Sequence, residues 1–149
     1  MFHATDSHQT PQITLAATVV YSGIGPFDGR TLKVRIRPAD PDNGIVFVRT
    51  DVAPERALIP VRWSHTIGWS YGIELGNAHG VKVAYAENVL AALQLHNIDN
   101  AIIELNGRYV PVPDGGPAGL GAIIQRAGTT RQWLVLPGIP VEEQAQLPG

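Results

Sequence analysis

The sequence predicts a single domain of the α+β class, built mostly of antiparallel strands with two helices. Strict alternation of apolar and basic residues in LKVRIRP, residues 32–38, is typical of a strand with one buried face. Leu120, Ile123, Ile124 and Ala127 follow the spacing of one helix face, which predicts a helix with an apolar stripe. The 16 glycines and 12 prolines indicate short elements joined by many turns.

Size and composition exclude several functional classes. A chain of 149 residues can bury one core but is short for a two-domain enzyme. The net charge of −2 offers no basic excess for nucleic acid binding. No apolar run approaches the length of a membrane span, and the N-terminus lacks a hydrophobic signal core, so we expect a cytoplasmic protein. Because the sequence contains no cysteine, disulfides, thiolate zinc sites and a cysteine nucleophile are excluded.

Three parts of the chain are predicted from composition. Residues 1–12 are polar and contain His3 and His8, as expected of a flexible leader. Residues 13–136 carry the periodic segments and form the domain. Residues 137–149, rich in proline and glutamate, are expected to be a flexible tail or a docking arm.

The first half of the domain predicts strands. Ile13 to Tyr21 is rich in β-branched and aliphatic residues, which favours a strand that ends at the glycine turn SGIGPFDG. Asn43-Gly44 predicts a tight turn, so strands 32–38 and 45–49 are expected to pair as a hairpin. Weaker strands are predicted near residues 57–62, 65–75 and 80–84.

The second half predicts two helices. The first, at 85–97, places one apolar stripe on the sheet, made of Tyr85, Ala86, Val89, Ala92, Leu93 and His96. The second spans about 117–127, with Gly128 as its C-cap. Residues 101–107 and 108–113 are expected to form a second hairpin, and 131–136 a last strand.

The pair Glu87-Asn88, at the start of the first helix, has the most bearing on function. A carboxylate on a helix start after a strand can act as a general base. Glu87 lies opposite the centre of the apolar stripe, so a solvated glutamate favoured by the helix dipole is the simpler alternative. Hydrolytic zinc chemistry would require an imidazole beside it, and Asn88 is an amide.

The histidines do not form a zinc motif by spacing. Two helical zinc ligands lie at i and i+4, but Asn88 is followed at i+4 by Ala92. His96 lies about 180° around the helix from Glu87 and roughly 13 Å along it, so the two cannot share one ion. We expect His96 to be a core or capping histidine. His65 and His79 cannot be placed near one another, and no metal is predicted.

Two glycine motifs have structural and functional interpretations. Gly23-x-Gly25 follows a strand, but the next predicted element is another strand, so a hairpin turn is favoured over a dinucleotide site. Asp114-Gly115-Gly116 opens the second helix. Asp114 is therefore either a residue of a structural turn near the cap or a contact for a ligand.

Five segments of the chain carry a family resemblance. They are SGIG with Asp28-Gly29, RPADPDNGIVFVRTD (37–51), VAYAENVLAAL (83–93), NIDNAIIELNG (97–107) and VPVPDGGPAG (110–119). The most specific parts are RPADPDNG with the following RTD, and NIDNAIIELNG. Over about residues 14–136, the chain resembles the N-terminal half of the UDP-3-O-acyl-N-acetylglucosamine deacetylases, the zinc enzymes of lipid A biosynthesis.

This resemblance assigns roles to three positions. It implies that Glu87 matches the general base and that Asn88 stands where the family has a zinc-bound histidine. An amide oxygen is a weak neutral donor for zinc, so this replacement is expected to cost much of the affinity. Phe27 occupies the place of a histidine of the family's glycine turn. The other zinc ligands and the catalytic histidine are implied to lie in a second domain, which we expect this chain to lack.

The resemblance also implies the arrangement of the fold: a sheet with two helices packed on one face. In the family, two such domains pack through their helix layers. We therefore expect a homodimer or a protein partner at the outward positions of that layer, namely Ala91, Leu95, Ala118, Gly119 and Ala122.

Two functional hypotheses follow. The first is a metal-free, catalytically inactive relative that acts as a binding or regulatory protein. The alternative is half of a split or dimeric zinc-dependent deacetylase in which a partner chain supplies the missing ligands and Glu87 is the general base. A structural assembly subunit that dimerises through its tail is a third possibility. Neither a nucleic acid nor a membrane is an expected partner.

Overall fold

The structure, a computed structural model, describes residues 11–27, 29–62, 66–68, 72–113 and 116–133. These ranges contain strands, two α-helices and a short 3₁₀ turn at Pro54–Arg56, which confirms the predicted α+β class. The strands are β1 (Gln12–Leu15), β2 (Val19–Ile24), β3 (Thr31–Pro38), β4 (Ile45–Arg49), β5 (Leu58–Pro60), β6 (Thr66–Gly68), β7 (Glu74–Gly76), β8 (Lys82–Val83), β9 (Ala101–Leu105) and β10 (Thr129–Gln132). The helices are α1 (Glu87–Leu95) and α2 (Ala118–Ala127).

The main sheet has five strands in the order β2-β3-β9-β4-β5. β2 and β3 form a hairpin, and the N–H of Gly25 closes its turn on the carbonyl of Arg30 at 2.7 Å. Gly23 therefore belongs to this hairpin, as the sequence favoured. Every pair in the sheet is antiparallel except β4 with β9, which is parallel. The mostly antiparallel sheet is thus confirmed.

The predicted pairing of β3 with β4 is wrong. Both strands exist, but β9 lies between them, antiparallel to β3 and parallel to β4. Asn100, just before β9, is 1% exposed, and its side-chain oxygen accepts the N–H of Gly44 at 2.8 Å. This bond holds the 39–44 connection beside the start of β9. Alternation specified the buried face of β3 but contained no information on the strand that pairs with it.

The predicted hairpin of 101–107 with 108–113 is also wrong. β9 already has β3 on one side and β4 on the other, so it has no free edge. Pro111 and Pro113 lack the N–H that a strand ladder requires. The chain instead leaves the sheet, and Tyr109 forms an isolated parallel bridge with Ala84. Residues 111–112 then pass so close to Gly23 of β2 that a Cβ on that glycine would collide with Val112 and Pro111.

Two small sheets complete the described structure. β1 and β10 pair antiparallel, and β6-β7-β8 form a second antiparallel sheet. The predicted first strand, 13–21, is therefore split into β1 and β2, because residues 16–18 between them are not in a strand. The last strand was predicted at 131–136 and is observed at 129–132, with residues from 134 onward outside the described ranges. The predicted leader and tail lie almost wholly outside those ranges as well.

Both helices cover the buried face of the main sheet with their predicted stripes. Val89, Ala92 and Leu93 of α1 are buried, and so are Leu120 and Ile124 of α2. Tyr85, predicted as the first helical residue, precedes the helix and has a φ of 59°. Gly128, at a φ of 76°, ends α2 by donating its N–H to Ile124, as predicted. Within the described ranges, no helix is long and apolar enough to cross a bilayer.

Candidate functional site

Glu87 is the first residue of α1, and it is half-buried rather than fully solvated. Its Oε2 accepts the backbone N–H of Ile73 at 2.8 Å. The backbone adds a second link, because the N–H of Ala86 donates to the carbonyl of Ile73 at 3.2 Å. The carboxylate therefore joins the start of the helix to the chain segment that leads into β7.

Gly72 allows this contact. Its φ is 66°, a backbone conformation that residues with a side chain rarely adopt. A Cβ placed there would also overlap the carboxylate of Glu87. A backbone without a side chain can therefore approach Glu87 closely enough for the next residue, Ile73, to donate its N–H. The sequence contained one signal of this contact, a glycine just before a strand, but nothing that pointed to Glu87 as its neighbour.

Asn88 is half-buried on the first turn of α1, directly after Glu87. Its side chain offers an amide oxygen and an amide nitrogen, neither of which carries a charge. Within the described structure, no three histidine, aspartate or glutamate side chains lie close enough together to share a metal ion. The described donors around Glu87 and Asn88 do not fit the three-ligand set of a catalytic zinc.

Phe27 lies near the start of α1 in an aromatic cluster, which we define as Phe27, Tyr85 and Tyr109. Its ring is edge-on to Tyr109, with centroids 4.9 Å apart, and 6.2 Å from Tyr85. Tyr85 precedes Glu87 by two residues, so the glycine turn and the helix start do converge. Phe27 remains 58% exposed. Sequence reasoning missed the two tyrosines, because they come from separate segments and neither shows a motif.

The buried Glu74 supports this cluster from β7. Glu74 is 7% exposed and accepts a hydrogen bond from the guanidinium of Arg108, which also lies 5.4 Å from the centre of the Tyr109 ring. A buried carboxylate is stable only when it is paired in this way. Arg108 therefore holds Tyr109 and β7 together, beside the segment that Glu87 contacts.

The Arg49-Thr50-Asp51 segment has a structural role. Arg49 donates two hydrogen bonds to Asp51, at 2.8 and 2.7 Å, and a third to the carbonyl of Lys82 at 2.8 Å. These hydrogen bonds hold the pKa of Asp51 below its ordinary range. Since Lys82 begins β8, Arg49 connects the main sheet to the small sheet that precedes α1.

The described histidines stand apart from Glu87. Nδ1 of His96 lies 2.9 Å from the carbonyl of Ala92 at the end of α1, where the ring N–H donates to an otherwise unpaired helix carbonyl. Of the two roles predicted for His96, core or capping, this contact matches capping. His79 is exposed in the turn before β8. His65, Asp28 and Asp114 lie outside the described residues, so the ligand contact predicted for Asp114 stays a prediction.

The outward positions predicted for a protein interface lie on the exposed side of both helices. Ala91, Ala118 and Ala122 are exposed, and Leu95 has 80% of its surface accessible. The two helices contact each other, so these positions belong to one layer. We call Ala91, Leu95, Ala118 and Ala122 the helix-layer patch.

Comparison with known proteins identifies the family. The model of the UDP-3-O-acyl N-acetylglycosamine deacetylase family (LpxC) matches residues 12–146. The UDP-3-O-acyl-N-acetylglucosamine deacetylase of Phenylobacterium zucineum is 37% identical over 121 residues, 81% of this chain and 41% of the relative. That of Myxococcus xanthus is 40% identical over 121 residues, covering 81% of this chain and 38% of the relative. The chain thus spans about 40% of the length of these curated relatives. By this match, it belongs to the UDP-3-O-acyl N-acetylglycosamine deacetylase family.

Proposed function

We propose that this protein is a catalytically inactive member of the deacetylase family that acts as a binding or regulatory protein. The observation that carries the proposal is the environment of Glu87. Its carboxylate accepts the N–H of Ile73, and its neighbour is the amide Asn88. In the family pattern that the sequence resembles, a zinc-bound histidine occupies the place of Asn88, and the glutamate acts beside that metal.

A carboxylate needs a polarised partner to act as a base in amide hydrolysis. Bound zinc lowers the pKa of a water molecule by several units, and without it the proton to be removed is far less acidic. Asn88 supplies a weak neutral donor at the matching position, and Phe27 supplies a hydrocarbon ring where the family has an imidazole. The hydrogen bond from Ile73 gives Glu87 a structural role that does not depend on catalysis.

Zinc content of the purified full chain tests this proposal. We expect the protein, prepared with excess zinc and then dialysed, to retain far less than one zinc per chain. Asn88→His is also expected to fall short of one zinc per chain, because the described residues supply no second and third ligand. The matched control is Gln94→His, at an exposed position on the same helix.

One tightly held zinc per wild-type chain would contradict the proposal. It would instead support the alternative, a split or dimeric deacetylase with Glu87 as general base. One zinc in Asn88→His but not in Gln94→His would show that the other ligands are present and that position 88 alone was lost.

We further propose that the helix-layer patch docks onto a second copy or another protein. Three alanines and one leucine leave a low, apolar surface, and small side chains let helices approach closely. The cytoplasmic location expected from the sequence belongs to the same proposal. Light scattering coupled to size exclusion is expected to report a dimer.

Leu95→Lys tests the patch, because it places a charge at its one large apolar residue, which is 80% exposed. We expect this variant to be monomeric. Leu58→Lys is the matched control, since Leu58 is 56% exposed but lies on β5. A monomeric wild type that captures no protein partner in a pull-down, or an equal effect of both variants, would refute the assigned surface.

A further inference from the structure

A cavity of about 570 Å³ opens between α1, the β4–β5 edge of the main sheet and the segment leading into β7. Pockets that bind small molecules commonly measure about 300–1,000 Å³. The floor consists of Leu75, Leu93 and Ile98, which are core residues exposed by 6% or less. The cavity therefore reaches the hydrophobic core.

The walls are aliphatic. Ile45 and Val61 line one side and Leu90 of α1 the other, and all three are half-buried. Among the described lining residues, the apolar ones are isoleucine, leucine or valine and none is aromatic. A flexible hydrocarbon chain can follow such a surface and gain dispersion contacts along its length. Within the described part of the lining, a planar ring ligand finds no aromatic partner.

The polar residues lie together at the rim. Arg62 is exposed and, within the described part of the chain, forms no ion pair. Asp99 is the opposing charge, but one of its oxygens already accepts the N–H of Ile13 at 2.8 Å. Gln94 and Asn97 add amide donors. Arg62 can therefore give a charge-assisted hydrogen bond to an anionic head group, and the amides of Gln94 and Asn97 can donate beside it.

We propose that this cavity binds a linear aliphatic carboxylate, with its chain among the leucine and isoleucine side chains and its head group at Arg62. The cavity is separate from the Glu87-Asn88 pair, since neither residue lines it. The proposal is therefore independent of whether the protein hydrolyses a substrate, and zinc content has no bearing on it. Glu87 contributes only indirectly, because it holds the backbone of Ile73, a lining residue.

Calorimetric titration of the full chain with octanoate, decanoate and dodecanoate, all below their micellar concentrations, is the first test. Burial of each additional methylene contributes about 0.8 kcal/mol, so we expect the affinity to rise about fourfold per CH₂. An affinity that does not depend on chain length, or no binding of dodecanoate, would overturn the proposal without any variant.

Leu90→Trp is expected to fill the cavity and lower the affinity for dodecanoate at least ~10-fold. Leu58→Trp is the matched control, because Leu58 is exposed and does not line the cavity. Circular dichroism and thermal unfolding establish that both variants are folded. An equal loss in both, or no loss in either, would show that the ligand binds elsewhere.

Arg62→Gln tests the head group. We expect it to lower the affinity for dodecanoate roughly 10-fold and to leave that for dodecanol unchanged, because only the carboxylate loses a charge-assisted hydrogen bond. Arg56→Gln, at an exposed arginine away from the cavity, should change neither. Equal effects on acid and alcohol would contradict the role of Arg62.

Discussion

The main sheet and the first turn of α1 differ in how strictly their function in the fold depends on residue type. The sheet and its two helices retain the alternating and helical apolar patterns that build the core. At the helix start, under the function proposed above, Asn88 and Phe27 stand where the resemblance to the family implies imidazoles. A core is specified by many interchangeable apolar residues, whereas a metal site depends on a few specific donors. Substitutions are therefore tolerated more readily in such a core than at a metal site.

The largest effect is expected in the core of the sheet. Phe47 is fully buried in β4, so Phe47→Ala should lower the free energy of unfolding by about 3–5 kcal/mol through lost burial and the cavity left behind. Leu58→Ala, at an exposed position on the neighbouring strand, should stay within about 0.5 kcal/mol. Urea titration measures both. Similar values for the two would contradict the assigned core.

Substitution of Asn100 tests the hydrogen bond that holds the 39–44 connection beside the start of β9. Besides accepting the N–H of Gly44, its side chain donates to Gln12 and Gln132 at 2.7 and 2.9 Å. Asn100→Ala leaves the N–H of Gly44 and the Oε1 of Gln132 without this partner, while Gln12 keeps its bond from Asp42, and should cost about 2 kcal/mol. Asn43→Ala, which removes one exposed hydrogen bond nearby, should cost much less. Urea unfolding again gives both values, and a negligible loss in Asn100→Ala would refute the role of this amide.

Substitution of Glu87 tests whether its hydrogen bond to the N–H of Ile73 stabilises the start of α1. Glu87→Ala should lower the free energy of unfolding by about 1 kcal/mol, because the N–H of Ile73 loses its acceptor. Glu87→Gln keeps an acceptor oxygen and should recover part of this loss. Hydrogen exchange of the Ile73 amide should accelerate in the alanine variant, whereas that of Val61, bonded to Ile45, should not. Unchanged exchange at Ile73 would contradict the contact.

The smallest effect concerns pH. Because Arg49 holds the pKa of Asp51 below its ordinary range, the folded state binds this proton less readily than the unfolded state. The resulting stability is present above the unfolded pKa, near 4, and is lost as pH falls through the folded pKa. Asp51→Asn should flatten the acid limb of stability against pH, measured by urea midpoints. An unchanged acid limb would mean that the Arg49–Asp51 pair contributes nothing to the pH dependence of the free energy of unfolding.

The difference between the two regions also explains what the sequence could predict. Alternation and helical spacing located β3, β4, both helices and most of the buried stripes, because these patterns are local. The insertion of β9 between β3 and β4 was missed, since it depends on contacts such as Asn100 to Gly44 across 56 residues. The cavity was missed for the same reason: its lining comes from distant segments.

At the candidate site, the residue types in the sequence pointed to Glu87 and Asn88, but the spatial arrangement around them could not be predicted. The pair was predicted as a candidate site because the resemblance to the family implies a glutamate followed by a histidine, and here the second residue is an amide. Their neighbours Tyr85, Tyr109 and Gly72 come together only through the fold, and the left-handed backbone at Tyr85 could not be read from its type. His96 was predicted correctly because its role depends on its own helix.

The close approach of Gly72 to Glu87 constrains the order in which these positions can change. While the glutamate is present, alanine at 72 would collide with the carboxylate and adopt an unfavourable φ. After truncation at 87, only the backbone penalty remains. The cost of Gly72→Ala should therefore be larger in the wild type than in Glu87→Ala, which makes the two positions epistatic. Loss of the acid first and of the glycine later should therefore cost less stability at each step than the reverse order.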